Sequence, residues 1–308
     1  MRLAVTIQAQ SRMSQNDPIV SVGQRIRRAA LGLALTLGAF GAFAIPVVLS
    51  NASTSVSVHG GEAGNALIPF GGYFDYMDLV AGTTTTWSVD PFLRFADTSV
   101  VALSAGGVGG FGSPLAGVGT AVSSASTGAV STTAVTELIG TIARTTFTFT
   151  AAPGATLSGT TFGFYAENDI LGFSDDTATF TGSIAGADLA LFQYDTGAGG
   201  VTVRLSAAGG PGATLVSFGS GIYTAFGDAL ELGDLSVLSA DGSNFKYGPG
   251  DLGLALAFSL SGITASLVVD YTTQPLPPGN VPEPESLALT ALGLFALLAQ
   301  RRFARRAA

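Results

Sequence analysis

Residues 146–150 read Thr-Phe-Thr-Phe-Thr, and residues 161–165 read Thr-Phe-Gly-Phe-Tyr. In both stretches a polar or small residue alternates with an aromatic one, so an extended chain is apolar on one face and polar on the other. Phe, Tyr and Thr are also residues that strands favour. A period-two pattern recurs at residues 85–89, 201–205 and 265–271. These stretches predict β-strands that are buried on one side.

Turn residues separate the predicted strands. Gly and Pro cluster at residues 152–154, 196–200 and 209–212, where they favour tight turns. No long stretch between the strands has the 3.6-residue period of a helix. The body is therefore predicted to be all-β, with antiparallel sheets that close as a β-sandwich or a jelly roll. Because the sequence has no Cys, packing rather than disulfide bonds must hold this body together.

Charge is unevenly distributed along the 308 residues. The whole chain carries −8, yet residues 45–280 combine four cations with eighteen carboxylates and so carry −14. An acidic body opposes nucleic-acid binding, because phosphates need cationic partners. His59 is the only histidine, so zinc, haem and copper have almost no ligands. We interpret His59 as a surface residue of an N-terminal strand.

Residues 1–44 have the composition of a secretory signal peptide. Three arginines within residues 25–28 precede a long apolar run. Ala42 and Ala44 supply the small residues that signal peptidase requires, which predicts cleavage directly after Ala44. Residues 50–52 offer a second cleavage site, and an uncleaved membrane anchor is the alternative. The segment predicts a signal helix and engagement of the secretion machinery.

Residues 280–308 form a second targeting segment with three parts. The sequence Val281-Pro282-Glu283-Pro284 comes first, and its prolines hold the chain extended and accessible to a processing enzyme. Residues 287–299 are apolar and predict a helix of about 20 Å, shorter than the ~30 Å core of a bilayer. Four arginines follow and favour the cytoplasmic side of a membrane: Arg301, Arg302, Arg305 and Arg306.

This tail resembles the PEP-CTERM sorting signal of Gram-negative bacteria that produce exopolysaccharide. The resemblance is confined to residues 280–308, and Glu285 is an additional acid directly after the motif. It implies that the tail anchors the chain transiently in the inner membrane, as a transmembrane helix, until an exosortase removes it near Val281–Pro284. The body would then reach the cell surface, the extracellular matrix or a biofilm. The resemblance implies an address and does not define the activity of the body.

One acidic segment of the body is a candidate calcium site. Four carboxylates lie within ten residues, between a predicted strand at 161–165 and another at 177–181: Glu167, Asp169, Asp175 and Asp176. Calcium prefers hard oxygen ligands of this kind, at six to eight per ion. The spacing is not that of an EF-hand. The alternative is a solvated acidic loop in which Asp175 and Asp176 cap a turn.

Two functions from different classes fit these observations. The first is an exported structural or adhesive protein of the cell surface or matrix, with domains at 1–44, 45–279 and 280–308. The second is a calcium-dependent carbohydrate-binding β-sandwich that uses Trp87, Tyr165 and Tyr194 on an exposed sheet face. No Ser has Gly at both −2 and +2, so the nucleophile elbow of hydrolases is missing. We expect the protein not to be an enzyme, and extracellular polysaccharide is the expected partner.

Overall fold

Most of the described chain forms β-strands. The computed structural model describes residues 46–60, 72–86, 88–103, 110–168, 170, 176–195 and 201–275. The strands in this part of the chain are β1 (Val47–Ser50), β2 (Thr54–Val58), β3 (Phe74–Asp78), β4 (Thr83–Thr84), β5 (Ser88–Arg94), β6 (Val100–Ala102), β7 (Leu115–Ala116), β8 (Thr120–Ser126), β9 (Val130–Ile139), β10 (Ile142–Ala151), β11 (Thr161–Glu167), β12 (Asp176–Thr181), β13 (Ala190–Asp195), β14 (Val201–Gly209), β15 (Ala213–Ile222), β16 (Leu252–Leu260) and β17 (Thr264–Pro275). One α-helix, α1 (Tyr223–Glu231), and a 3₁₀-helix (Leu235–Val237) accompany them.

Three antiparallel sheets contain the described strands. The largest has eight strands in the order β12-β13-β14-β17-β10-β9-β8-β7. The second has five strands in the order β15-β16-β11-β5-β6, and the third has the order β1-β2-β3-β4. Adjacent strands pair antiparallel throughout. The prediction of an all-β, antiparallel body is confirmed.

Aromatic side chains fill the space between the eight-stranded and the five-stranded sheets. The ring centroid of Phe147 on β10 lies 4.7 Å from that of Phe162 on β11, and Phe149 lies 5.1 Å from Phe162. Because successive side chains of a strand point to opposite faces, Thr148 between Phe147 and Phe149 faces outward. Two sheets packed through their apolar faces form a β-sandwich, and the sheet order differs from the eight strands in two Greek keys of a jelly roll.

The third sheet contributes to the same core. The ring centroids of Phe74 and Tyr76 on β3 lie 5.7 Å and 5.1 Å from that of Tyr271 on β17. Tyr73 is also buried, and its hydroxyl lies 3.0 Å from Oγ1 of Thr136 on β9. The sheet that follows the N-terminal segment therefore extends the core of the sandwich.

The segment from Ser239 to Gly250 covers two sheet edges and is called the strap below. It bonds to the edge strand β15, where the amide of Lys246 donates to the carbonyl of Ser220 at 3.0 Å. It also bonds to the edge strand β12, where the amide of Ala178 donates to the carbonyl of Tyr247 at 2.8 Å. Covered edges cannot pair with another chain.

Helix α1 has nine residues and covers part of the outer face of the five-stranded sheet. Phe226 and Leu230 are buried on this side, together with Phe92 of β5 and Tyr165 of β11. Sequence analysis predicted no helix in the body, because two turns with Gly227 near their centre give too weak a periodic signal. The helix is central to the site described below.

Several sequence predictions fall on other parts of the chain. The signal peptide with Ala42 and Ala44, and the tail with Val281–Pro284 and its arginines, lie outside the described residues. In the described part, no helix is long and apolar enough to cross a membrane. The interpretation of His59 as a surface residue is wrong: His59 is buried directly after β2, with Nε2 2.8 Å from Oδ2 of Asp75.

Truncation of a ring between the sheets should destabilise the fold strongly. We expect Phe162→Ala to lower the free energy of unfolding by about 3–5 kcal/mol, because it removes buried apolar contacts and leaves a cavity. The matched control is Thr148→Ala on the exposed face of β10, for which we expect a change within about 0.5 kcal/mol. Urea denaturation measures both values. Equal effects of the two substitutions would contradict the packing described above.

Candidate functional site

A chain of buried polar side chains links β11, β13 and β17. The hydroxyl of Tyr271 donates to Oδ1 of Asn168 at 2.7 Å, and Nδ2 of Asn168 donates to Oε1 of Gln193 at 2.9 Å. The second hydrogen bond of Gln193 runs from Nε2 to Oδ2 of Asp176 at 2.8 Å. Buried polar groups of this kind are costly unless they are paired, so this network holds the end of β11 against the eight-stranded sheet.

This network changes the interpretation of the predicted calcium residues. Asp176 is only 1% exposed and begins β12, so the alternative of a solvated, turn-capping Asp176 is wrong. Glu167, 4% exposed, ends β11. Asp169 and Asp175 lie outside the described residues. Within the described ranges, no three His, Cys, Asp or Glu residues are arranged to hold a metal ion. Calcium binding by the four predicted residues therefore stays a prediction.

Glycines make room for aromatic rings on the outer face of the five-stranded sheet. A Cβ on Gly163 would lie 2.0 Å from the ring of Phe92, and one on Gly253 would lie 2.4 Å from the ring of Tyr165. Gly253 also opposes Glu167 in the pairing of β16 with β11. Neither position can accept a side chain without moving a ring, so Gly163 makes room for Phe92 and Gly253 makes room for Tyr165.

Tyr165 lies at the centre of a cluster that we call the Tyr165 crevice, between the five-stranded sheet and α1. Its members share this location: Tyr165, Tyr223, Asp90, Glu167 and Asp251. Asp90 opposes Tyr165 in the pairing of β5 with β11, and Glu167 follows two residues later on the same face. Asp251 approaches from the other side, where its carbonyl accepts the amide of Tyr223 at 2.9 Å.

The electrostatic potential in the Tyr165 crevice is negative. Burial raises the pKa of Tyr165 well above its usual value, and the charges of Glu167, Asp90 and Asp251 raise it further. Burial and the same three carboxylates also raise the pKa of Tyr223. The Tyr165 side chain is only 5% exposed, and its hydroxyl has no hydrogen-bond partner among the described residues. A buried hydroxyl without a partner is unusual in a folded protein.

The aromatic residues proposed for an exposed sugar platform do not form one. Tyr165 is buried, and Tyr194 is only 9% exposed. Trp87 lies outside the described residues. Tyr247, on the strap, is 53% exposed, and its ring centroid lies 6.3 Å from that of Phe180. The expectation that Tyr165 and Tyr194 stand on an exposed face is therefore wrong, because both pack against the sandwich.

A pocket of about 300 Å³ lies beside the turn that follows β3 and is lined in part by Asp78, Ala81 and Thr273. Among the described residues that line this pocket, Asp78 is the one that is acidic. Its Oδ1 accepts hydrogen bonds from the backbone amides of Val80 and Ala81, both at 2.9 Å. Oδ2 of Asp78 accepts the hydroxyl of Thr273 at 2.8 Å. Since these hydrogen bonds hold the turn after β3 onto β17, we assign Asp78 a structural role.

Sequence analysis found Glu167 but missed Asp90, Asp251 and Tyr223. The missed residues are far from Glu167 in sequence and come together only through strand pairing and the position of α1. Strand alternation indicates one part of the site: Tyr165 and Glu167 are two residues apart on one strand, so they lie on the same face of the sheet. No sequence pattern indicated which strands would lie beside them.

Comparison with known proteins gives a fold likeness and no family. No family model and no curated protein matches the chain. A bacterial glucoamylase complexed with acarbose is 9% identical, with a TM-score of 0.50 over 78% of this chain and 32% of that chain. The likeness therefore spans about a third of the glucoamylase and shows the fold alone. A galactose mutarotase-like protein from Lactobacillus casei is 6% identical, with a TM-score of 0.42 over 74% of this chain and 100% of that chain. A heparinase III is 8% identical, with a TM-score of 0.45 over 76% of this chain and 35% of that chain.

Loss of the Tyr271 hydroxyl should destabilise the buried network. We expect Tyr271→Phe to lower the free energy of unfolding by about 1–3 kcal/mol, because Oδ1 of Asn168 is left buried without its donor. Tyr194→Phe is the control, because burial is the one cause of the raised pKa of Tyr194 and no hydrogen bond contributes to that shift. Its expected change is below about 0.5 kcal/mol. A network that contributes nothing would give equal urea midpoints for the two variants.

Buried tyrosines should make the fold sensitive to alkaline pH. Burial raises the pKa of Tyr73 from 10.0 to about 12. Because the folded state holds the proton more tightly, this stability is full below pH 10 and is lost as pH rises toward 12. We expect the free energy of unfolding to fall by about 1.4 kcal/mol per pH unit for such a group. Urea denaturation between pH 8 and 11 measures the slope.

The control for this pH dependence is Tyr73→Phe. It removes the titrating hydroxyl and should reduce the slope above pH 10, although it also removes the contact with Thr136. A wild-type slope that is unchanged in this variant would contradict the assignment of the pH dependence to Tyr73.

Proposed function

We propose that this protein is an exported structural or adhesive component of the cell surface or extracellular matrix, which binds polysaccharide without cleaving it. In this account residues 1–44 direct export, and an exosortase removes residues 280–308. The body of residues 45–279 is the mature protein. Trimmed of its ends, that body is acidic and hydroxyl-rich on its exposed strand faces, as suits a protein that works in a hydrated polymer.

The observation that carries the binding part of the proposal is the Tyr165 crevice. It combines three carboxylates with a buried hydroxyl that has no partner among the described residues. Carboxylates and hydroxyls accept hydrogen bonds from polyols, and a few such groups are enough to define a ligand's orientation. A contact through these polar groups also agrees with the burial of Tyr194, which leaves that ring unsuited to stacking on a sugar.

The solved structures are compatible with this proposal, but they do not carry it. One similar protein is a glucoamylase that was solved with acarbose, and this chain matches about a third of it. Its low identity permits a fold comparison only. The second candidate, a calcium-dependent carbohydrate-binding module, uses Glu167 as well, now as a ligand of calcium together with Asp169, Asp175 and Asp176.

Processing at the tail is testable in the native bacterium. We expect mass spectrometry of surface and matrix material to find peptides from the body and none beyond about Pro284. Replacement of Pro282, Glu283 and Pro284 by Ala should retain full-length protein in the membrane fraction, because the processing enzyme loses its motif. The control is Glu285→Ala, next to the motif, which should be processed normally. An intact C-terminus in matrix material would refute the proposed processing.

Polysaccharide binding is testable by cosedimentation with exopolysaccharide from the same bacterium. We expect the full chain in mild detergent to sediment with the polymer and the polymer length to remain constant. Absence of binding would refute the adhesive function. Shortening of the polymer by the purified protein would instead identify an enzyme.

A further inference from the structure

The pocket beside the turn after β3, called the Asp78 pocket below, has a volume of about 300 Å³. Its lining comes from five separate segments: the turn before β2, the end of β3 with the turn that follows it, the turn between β9 and β10, the start of β14 and the end of β17. Because these segments are far apart in sequence, the pocket exists only once the sheets have packed together.

Hydrogen bonds between these segments hold the walls of the pocket in place. The amide of Leu79 donates to the carbonyl of Ser53 at 2.9 Å, which joins the turn after β3 to the turn before β2. The hydroxyl of Thr272 donates to the carbonyl of Thr141 at 2.9 Å, which joins β17 to the turn between β9 and β10. A pocket whose walls are already fixed loses little conformational entropy when a ligand binds.

Asp78 offers an acceptor that the fold does not use up. Among the described residues, two backbone amides donate to its Oδ1, and the hydroxyl of Thr273 donates to its Oδ2 at 2.8 Å. An ionised carboxylate has about four acceptor positions. Asp78 is only half-buried, so its Oδ2 can accept a further hydrogen bond from a ligand that enters the pocket. Its structural hydrogen bonds fix the position of that acceptor.

The entrance of the Asp78 pocket lies at the turn after β3. Val80 is 81% exposed and Ala81 is exposed beside it, so a ligand reaches the pocket past these two residues. Val201, which is buried at the start of β14, adds a third apolar residue to the lining. Thr141 and Gln274 add polar residues. The lining is therefore amphipathic and partly open to solvent.

A sugar ring has the surface that such a lining can bind. Its C–H groups pack against apolar side chains, and its hydroxyls bond to a few placed polar groups. A volume of about 300 Å³ is at the lower limit for ligand pockets, so the pocket suits one ring rather than a segment of polymer. None of the described residues in the lining is cationic, and Asp78 is an acid. This charge disfavours acidic sugars.

We propose that the Asp78 pocket binds one neutral sugar unit, at the end or on a branch of a polysaccharide. This inference rests on the proposed function for its choice of a sugar, and it adds a second contact to that of the Tyr165 crevice. The C–H surface of the ring packs against Val80, Ala81 and Val201, and one ring hydroxyl donates to Oδ2 of Asp78. Two contacts with one polymer raise the avidity of adhesion.

Saturation-transfer NMR tests the pocket with small glycosides and the full chain, in a mild detergent that has no sugar head group. The probes are the methyl glycosides of glucose, galactose, mannose and rhamnose, with that of glucuronic acid as the charged comparison at pH 7. We expect transfer to at least one neutral glycoside and none to the glucuronide. Ala81→Trp should weaken binding at least tenfold, because the indole fills the entrance. Val80→Ser should weaken it severalfold, because an apolar contact is lost.

The matched control is Ala185→Trp, which adds the same ring to an exposed turn between β12 and β13. This turn lies at the end of β13 away from the start of β14, and the substitution should leave binding unchanged. Thermal melting identifies variants that fail to fold, and Val80→Ser provides the test if Ala81→Trp is unfolded. Equal effects of Ala81→Trp and Ala185→Trp would overturn the site.

The remaining outcomes separate this inference from the proposed function. Absence of transfer to all four neutral glycosides would overturn the inference, and continued sedimentation with exopolysaccharide would leave the adhesive function standing. Binding of the glucuronide as tightly as the neutral glycosides would also overturn it. Transfer that Ala81→Trp abolishes, without sedimentation with the polymer, would support the pocket and refute the adhesive function.

Discussion

Ring packing between the two larger sheets is the interaction on which the rest of the structure depends. The ring centroids of Phe147 on β10 and Phe162 on β11 lie 4.7 Å apart. These two strands are consecutive in the chain but belong to different sheets, so the rings pack across the core. Since Phe162 and Phe164 face inward, the alternation of β11 requires Tyr165 and Glu167 to face outward. The same contacts that form the core therefore place the central residues of the crevice on the opposite face.

Alternation also made the sequence informative. Four of the predicted strands lie within β10, β11, β14 and β17: residues 146–150, 161–165, 201–205 and 265–271. A strand that is buried on one side needs apolar and polar residues in alternation, and this pattern is visible in the sequence. The helix α1 and the strap were missed for a physical reason. Both depend on surfaces that exist only after the sheets have formed, and neither has a strong pattern of its own.

The candidate site was predictable only in part. Glu167 was identified from the density of nearby acids, yet its partners in the crevice come from β5 and from the segment before β16. Asp176, predicted with Glu167 as part of one ligand set, accepts a hydrogen bond from Gln193 in the interior. Local acidity in a sequence does not reveal which acids share a face, because the sheet assigns them by alternation and pairing.

The central claim is that the protein contacts polysaccharide at the Tyr165 crevice. Tyrosine-selective NMR during titration with exopolysaccharide fragments tests this claim most directly. The chain has seven Tyr residues, so each signal can be assigned by substitution with Phe. The account predicts that the signals of Tyr165 and Tyr223 move together while those of Tyr194 and Tyr247 do not. Movement of Tyr247 alone, or fragment binding that shifts neither Tyr165 nor Tyr223, would contradict it.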